Sequence, residues 1–186
     1  MSPLLFRHLN ALVLLGITGI LSYAFADQLL FRDLPCPLCL LQRVGFVVAG
    51  FGFALNVLQG PRTAYYGIAI FGSLAGAAVS ARQMFLHIAP GSGSYGEALL
   101  GMHFYTLALI AFIGLIMCAT ILMMFERQYQ PAGSMISRRG WQHAPGLGKL
   151  AVLLFTLIIA ANAGSTFLEC GTGMCADDPT GYQLLQ

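Results

Sequence analysis

Cys36 and Cys39 are separated by two residues in Leu34-Pro35-Cys36-Pro37-Leu38-Cys39-Leu40-Leu41-Gln42-Arg43, at the head of a long apolar run. A dithiol with this spacing can close to a disulfide and reopen, so the chemistry it offers is two-electron exchange. Pro37 has no amide hydrogen and a pre-set φ, which suits the first position of a helix. Cys36 is then expected at the N-cap and Cys39 in the first turn, where unpaired backbone N–H groups favour an anion and should lower the pKa of Cys39. Arg43 follows Cys39 by four residues and shares its helix face. A thiolate and a fixed positive charge with lipid beneath them can pass electrons to a lipid-soluble acceptor. The alternative is an inert disulfide beside an arginine that snorkels to the head groups. That alternative leaves both the helix start and Arg43 without a purpose, so redox chemistry is the better reading.

The elements that carry this motif must lie in a membrane. Of the 186 residues, 58% are hydrophobic and only 9% charged, which excludes an ordinary soluble domain. Nineteen uncharged residues separate Arg7 from Asp27, eighteen Arg43 from Arg62 and nineteen Arg62 from Arg82. Twenty-eight separate Glu97 from Glu126, and nineteen Lys149 from Glu169. A membrane helix needs about 20 apolar residues. Five spans are therefore expected, at about 8–26, 36–59, 63–85, 103–125 and 150–168. The expected fold is an all-α membrane protein, an antiparallel four-helix bundle plus a fifth transmembrane helix, forming a single integral membrane domain over 1–186. The net charge of +2 and the lack of a basic patch argue against nucleic acid.

With five spans, one side holds Arg7, Arg62, Arg127, Arg138, Arg139 and Lys149. The other holds Arg32, Arg43 and Arg82 with six of the seven acidic residues. The positive-inside rule places the first set in the cytoplasm, so the N-terminus is inside and the C-terminus outside. Cys36, Cys39, Cys170 and Cys175 then all fall on the outer side, where disulfides persist.

Arg7, the apolar run and Ala24-Phe25-Ala26 also resemble a signal peptide, but the run is long and stays apolar through Leu29-Leu30-Phe31, favouring an uncleaved helix. Asp27 to Pro35 are expected as a short outer loop. Gly60-Pro61 should make a tight turn, so the second and third spans pack antiparallel. Gly72, Gly76 and Ala77-Ala78 allow close helix approach within lipid. Arg82, Gln83 and His87 stand where the third helix reaches the outer face; they are either interfacial anchors or part of one pocket with Arg43. His103, Tyr105 and Thr106 open the fourth span, and Cys118 is a packing residue deep within it.

The fifth span runs into Glu169-Cys170-Gly171-Thr172-Gly173-Met174-Cys175, where four intervening residues with two glycines can close a small ring. Such a disulfide is either labile or a static clip on the 169–186 tail. Two outer pairs are what a relay needs, one to meet a protein and one to meet a membrane carrier. Four thiolates also suit zinc, but structural zinc organises small domains and these loops are too short to need one, so no metal is expected.

The C-x-x-C at the outer start of the second helix, the arginine four residues after it and a second outer cysteine pair resemble the DsbB family of bacterial inner-membrane disulfide-generating proteins, including its DsbI-type relatives. The resemblance covers about 8–125. It implies a thiol:quinone oxidoreductase that re-oxidises a soluble periplasmic DsbA-like oxidant of the thioredoxin fold and delivers electrons to a respiratory quinone, ubiquinone or menaquinone. Carried over by position, Cys39 is the cysteine next to the quinone, Cys36 its partner and Arg43 the quinone-site arginine. Gln83 and His87 correspond more weakly to residues lining that site. The best-known members of the family carry the second pair in a long loop between helices three and four, with both termini in the cytoplasm; here that loop is short, and Cys170 and Cys175 lie on a periplasmic redox tail after a fifth helix. Other classes to weigh are a quinone reductase of the vitamin K epoxide reductase type, whose C-x-x-C ends a late helix, and a non-enzymatic metal-handling or structural membrane protein.

Overall fold

The computed structural model describes residues 3–31, 34–88, 98–99, 101–129, 140–176 and 179–185. Arg32, Asp33, Glu97, the 90–94 loop, Arg138, Arg139, Asp177 and Asp178 lie outside the described residues. Five long helices make the architecture: α1 Pro3–Phe31, α2 Pro37–Gln59, α3 Thr63–Leu86, α4 Phe104–Met123 and α5 Gly146–Cys170. All five are long and apolar enough to cross a membrane. Leu12, Val44, Phe51, Phe71, Ile113 and Leu157 are each about half exposed or more, a pattern that is stable only when lipid covers it. Before α4, Ala98–Leu99 (β1) pair antiparallel with Met102–His103 (β2).

The first helix differs from expectation. Asp27, Gln28 and the residues up to Phe31 continue α1 instead of forming a loop. A carboxylate at the membrane face does not break a helix; proline does, and the first proline after α1 is Pro35. The extension carries Ala24, Asp27 and Gln28 alongside the head of α2.

Helices α2 and α3 form an antiparallel hairpin. Gly60, at φ 87°, takes the chain into a conformation that disfavours side chains, and Pro61 stops the helix from continuing. The two helices then touch backbone to backbone. A Cβ on Gly45 would stand 2.8 Å from the Cα of Gly76, and one on Gly72 would meet the Ala49 amide at 2.6 Å. Gly76 also makes room for the ring of Phe112 from α4, which stacks on Phe46 with centroids 4.0 Å apart. In lipid, where no hydrophobic effect draws helices together, such close packing is what holds them. Helix α4 packs on α3, and α5 packs chiefly on α1.

A buried polar network ties the opposite end of the bundle. Asn10 of α1 donates to the Tyr66 hydroxyl at 2.8 Å, Asn56 of α2 donates to Asn10 at 3.1 Å, and Tyr66 donates to Gln128 beyond α4 at 3.0 Å. Every member has a partner, as the low-dielectric interior requires.

Gly76→Leu should force α2, α3 and α4 apart. Overpacking typically costs about 1–3 kcal/mol, so its thermal unfolding in detergent should fall well below that of the parent. Gly67→Leu is the control, because nothing lies within 4 Å of a Cβ there. Equal melting of Gly76→Leu and the parent protein would contradict the close contact.

Candidate active site at the head of α2

Cys36 is the N-cap of α2 and Pro37 its first residue. The N-cap side chain accepts from the amide three residues on, here Cys39 N–H to Cys36 Sγ at 3.2 Å. The donor at the helix start therefore serves Cys36, where the sequence suggested Cys39. The two sulfurs stand 2.7 Å apart and are not bonded to each other. From α3, the Gln83 amide reaches Cys36 Sγ at 3.4 Å and Cys39 Sγ at 3.5 Å. Gln83 is in turn fixed by Gln42, which donates to its Oε1 at 2.7 Å. Cys36 precedes the span that begins at Pro37, and its pKa is lowered from 9.0 to about 7. The hydrogen bond from the Cys39 side chain is the main cause, with the Cys39 and Leu38 amides and Gln83 adding to it against the opposing effect of burial.

Arg43 is held from two other helices. Its Nη1 donates to Gln28 Oε1 at 2.8 Å and to Asn162 Oδ1 at 3.0 Å, and its Nη2 donates to the Ala24 carbonyl at 3.0 Å. Gln28 donates onward to Ser165 Oγ at 2.8 Å and the Tyr182 hydroxyl at 3.1 Å. This is anchoring inside the bundle and not snorkelling to head groups.

Cys39, Gln42, Arg43 and Gln83 line one side of a cavity of about 490 Å³. Its other walls are largely apolar, from Gly16 to Asp27 on α1 and from Phe104 to Ala111 on α4, with Phe46 from α2. Cys36 does not line the cavity and stands behind Cys39. His87 does not line it either; its ring stacks on Tyr105, which does, at 5.5 Å between centroids. Arg82 is exposed and is not among the lining residues. Cys170 and Cys175 are bonded to each other at the end of α5, Cys170 buried and Cys175 partly exposed. Gln28, Asn162 and Ser165 escaped sequence reasoning, although a polar residue within an apolar span is itself a signal.

These features define a multi-pass membrane protein that presents one sulfur of a cysteine pair and a half-buried arginine to an apolar cavity. Residues 6–96 match the family model for disulfide bond formation protein DsbB. The match ends before α4, short of the 8–125 expected from the motif. Disulfide bond formation protein B of Nitrosomonas eutropha is 38% identical over 84 residues, 43% of this chain and 52% of that protein. Those of Hahella chejuensis and Marinobacter nauticus are 38% and 40% identical over 89 and 90 residues, each alignment covering 45% of this chain and 53% and 52% of the relative. The chain thus spans about half the length of the curated relatives it matches. No solved structure matches it.

Removing the Gln83 amide takes a donor from both sulfurs. In Gln83→Leu the pH at which the reduced pair ionises, followed by thiolate ultraviolet absorbance, should rise above that of the parent protein, because a donor that lowers the Cys36 pKa is lost. An unchanged midpoint would mean that Gln83 does not act on the sulfurs.

Proposed function

We propose that the chain is a membrane thiol:quinone oxidoreductase of the bacterial inner membrane, which generates disulfides by re-oxidising a periplasmic DsbA-like thiol oxidant and passes the electrons to a respiratory quinone. The observation that carries the reading is that Cys39 and Arg43 line the same apolar cavity. Its volume of about 490 Å³ falls in the usual range for small-molecule sites, roughly 300–1,000 Å³. Apolar walls with a few convergent polar groups suit a flat, weakly polar ring with carbonyl oxygens. A quinone held there supplies a two-electron sink of higher potential than ordinary protein dithiols.

The chain's own residues take the remaining roles. Cys175 is the more accessible tail sulfur, so the partner's thiolate attacks it and Cys170 leaves as thiolate. A second partner thiol resolves the mixed disulfide, leaving the tail pair reduced. Exchange between the tail pair and Cys36–Cys39 moves two electrons inward and restores the tail disulfide. Cys39 then faces the acceptor, Cys36 closes the S–S bond behind it, and Gln83 keeps the two sulfurs together. Arg43 stabilises negative charge developing at the acceptor's oxygen. The tail, 169–186, reaches the periplasm with Cys170 and Cys175, and the N-terminus faces the cytoplasm.

A vitamin K epoxide reductase arrangement fits less well, because its dithiol ends a late helix whereas this one opens α2. A zinc site of four thiolates fits less well, because structural zinc organises small domains and these outer loops are too short to need one.

Arg43→Met should raise the quinone KM and slow turnover, by at least tenfold if one charge-assisted hydrogen bond of about 1.5–3 kcal/mol is lost. Exchange between partner and tail should survive. Unchanged quinone kinetics would reduce Arg43 to a structural anchor. Cys39→Ser should abolish quinone reduction and leave the tail pair reduced. A Cys170→Ser, Cys175→Ser double variant should lose oxidation of the partner, while chemically reduced Cys36–Cys39 remains re-oxidisable by quinone. Normal partner oxidation in that variant would make the tail disulfide a clip. For orientation, a reporter active only in the periplasm should work when fused after Gln186 and fail when inserted after Gly133; the reverse pattern would refute the assigned topology.

A further inference from the structure

The reading above leaves one buried acid on α5 unused. Glu169 is 2% exposed, and neither carboxyl oxygen has a hydrogen-bond partner among the described residues. It follows Ser165 by four residues and Asn162 by seven, so it continues the face of α5 that grips Gln28 and Arg43. Cys39, Glu169, Tyr182 and Asp27 all lie within electrostatic reach of the Arg43 guanidinium. Asp27 is partly exposed and can be hydrated; Tyr182 is engaged with Gln28. A buried carboxylate without hydrogen bonds persists only opposite a positive charge. Arg43 is thus one cation placed between two buried acids, the cysteine pair on α2 and Glu169 on α5.

We propose that Glu169 is a redox-linked proton site, neutral while the reduced Cys36–Cys39 pair carries a thiolate and ionised once that pair closes to a disulfide. The inference rests on the redox reading of the C-x-x-C. The two sulfurs stand 2.7 Å apart, and a reduced pair that keeps one proton presents one negative charge to Arg43. When the S–S bond forms, the pair gives two electrons to its acceptor and releases that proton, and the negative charge disappears. Glu169 then gives up its own proton, and its carboxylate replaces the thiolate as the counter-charge of Arg43. Two electrons and two protons leave, the net charge around Arg43 is unchanged, and the count equals what converts a quinone to a quinol. Gln28 links Arg43 to Ser165 Oγ and the Tyr182 hydroxyl, and Ser165 stands one helical turn before Glu169 on α5.

The test is infrared difference spectroscopy of the full-length protein, cycled between dithiol and disulfide by a thiol–disulfide buffer without quinone. The reduced form should show a carboxylic-acid C=O band that is lost on oxidation. Glu169→Gln should lack this band and Asp27→Asn should keep it. Cys39→Ser should lose it from the difference spectrum, because only the tail then cycles. Arg43→Met should also lose it, because Glu169 stays neutral in both states. A band that survives in Glu169→Gln, moves to Asp27, or is missing from a wild-type protein whose pair does cycle overturns the proposal. A pair that does not cycle refutes the redox reading itself, and this inference with it.

Discussion

A half-buried guanidinium held within a membrane bundle is the constraint on which the arrangement depends. An arginine placed there is costly unless its donors find partners, and those partners are dictated by what the neighbouring helices can offer. Arg43 finds a backbone carbonyl and an amide oxygen on α1 and another amide oxygen on α5. These three bonds fix how α1 and α5 sit against the head of α2. The same bonds aim the remaining charge toward the cavity and the cysteine pair, so a device that stabilises the bundle also shapes its electrostatics.

The second determinant is the absence of side chains where α2 and α3 meet. Backbone contact at Gly45, Gly72 and Gly76 brings the helices close enough for one glutamine, Gln83, to reach both sulfurs. The space that the glycines release is taken by Phe112, whose stacking on Phe46 gives the cavity a rigid floor. An acceptor bound above that floor would meet Cys39 first, with Cys36 behind it.

Much of this was legible in the sequence. Charge spacing anticipated five long apolar helices, and the C-x-x-C and Arg43 singled out in the sequence stand at the head of one of them. Small residues on α3 foretold close packing. The end of α1 was not legible, because Asp27 looks like a loop residue until Gln28 beside it is seen to bind Arg43. The identity of Arg43's partner on α5 was out of reach as well, since Asn162 lies 119 residues away and no local pattern encodes such a pairing. The choice of Cys39 as the sulfur favoured by the helix start failed for a simpler reason: an N-cap atom accepts the amide of the third helical residue, so the benefit falls on Cys36. His87 was grouped with the cavity by position, but its ring is taken up by Tyr105.

The long separation between Arg43 and Asn162 sets an order of events during synthesis. Helices α2, α3 and α4 pair with neighbours in sequence and can assemble as they enter the bilayer, as low-contact-order bundles do. The fifth helix follows these three, and until it docks one hydrogen bond of Arg43 is missing and Gln28 has no Ser165 or Tyr182 to hold it. Maturation of the site is thereby deferred until α5 has inserted, and a chain stalled before α5 would carry its dithiol without a finished electrostatic setting.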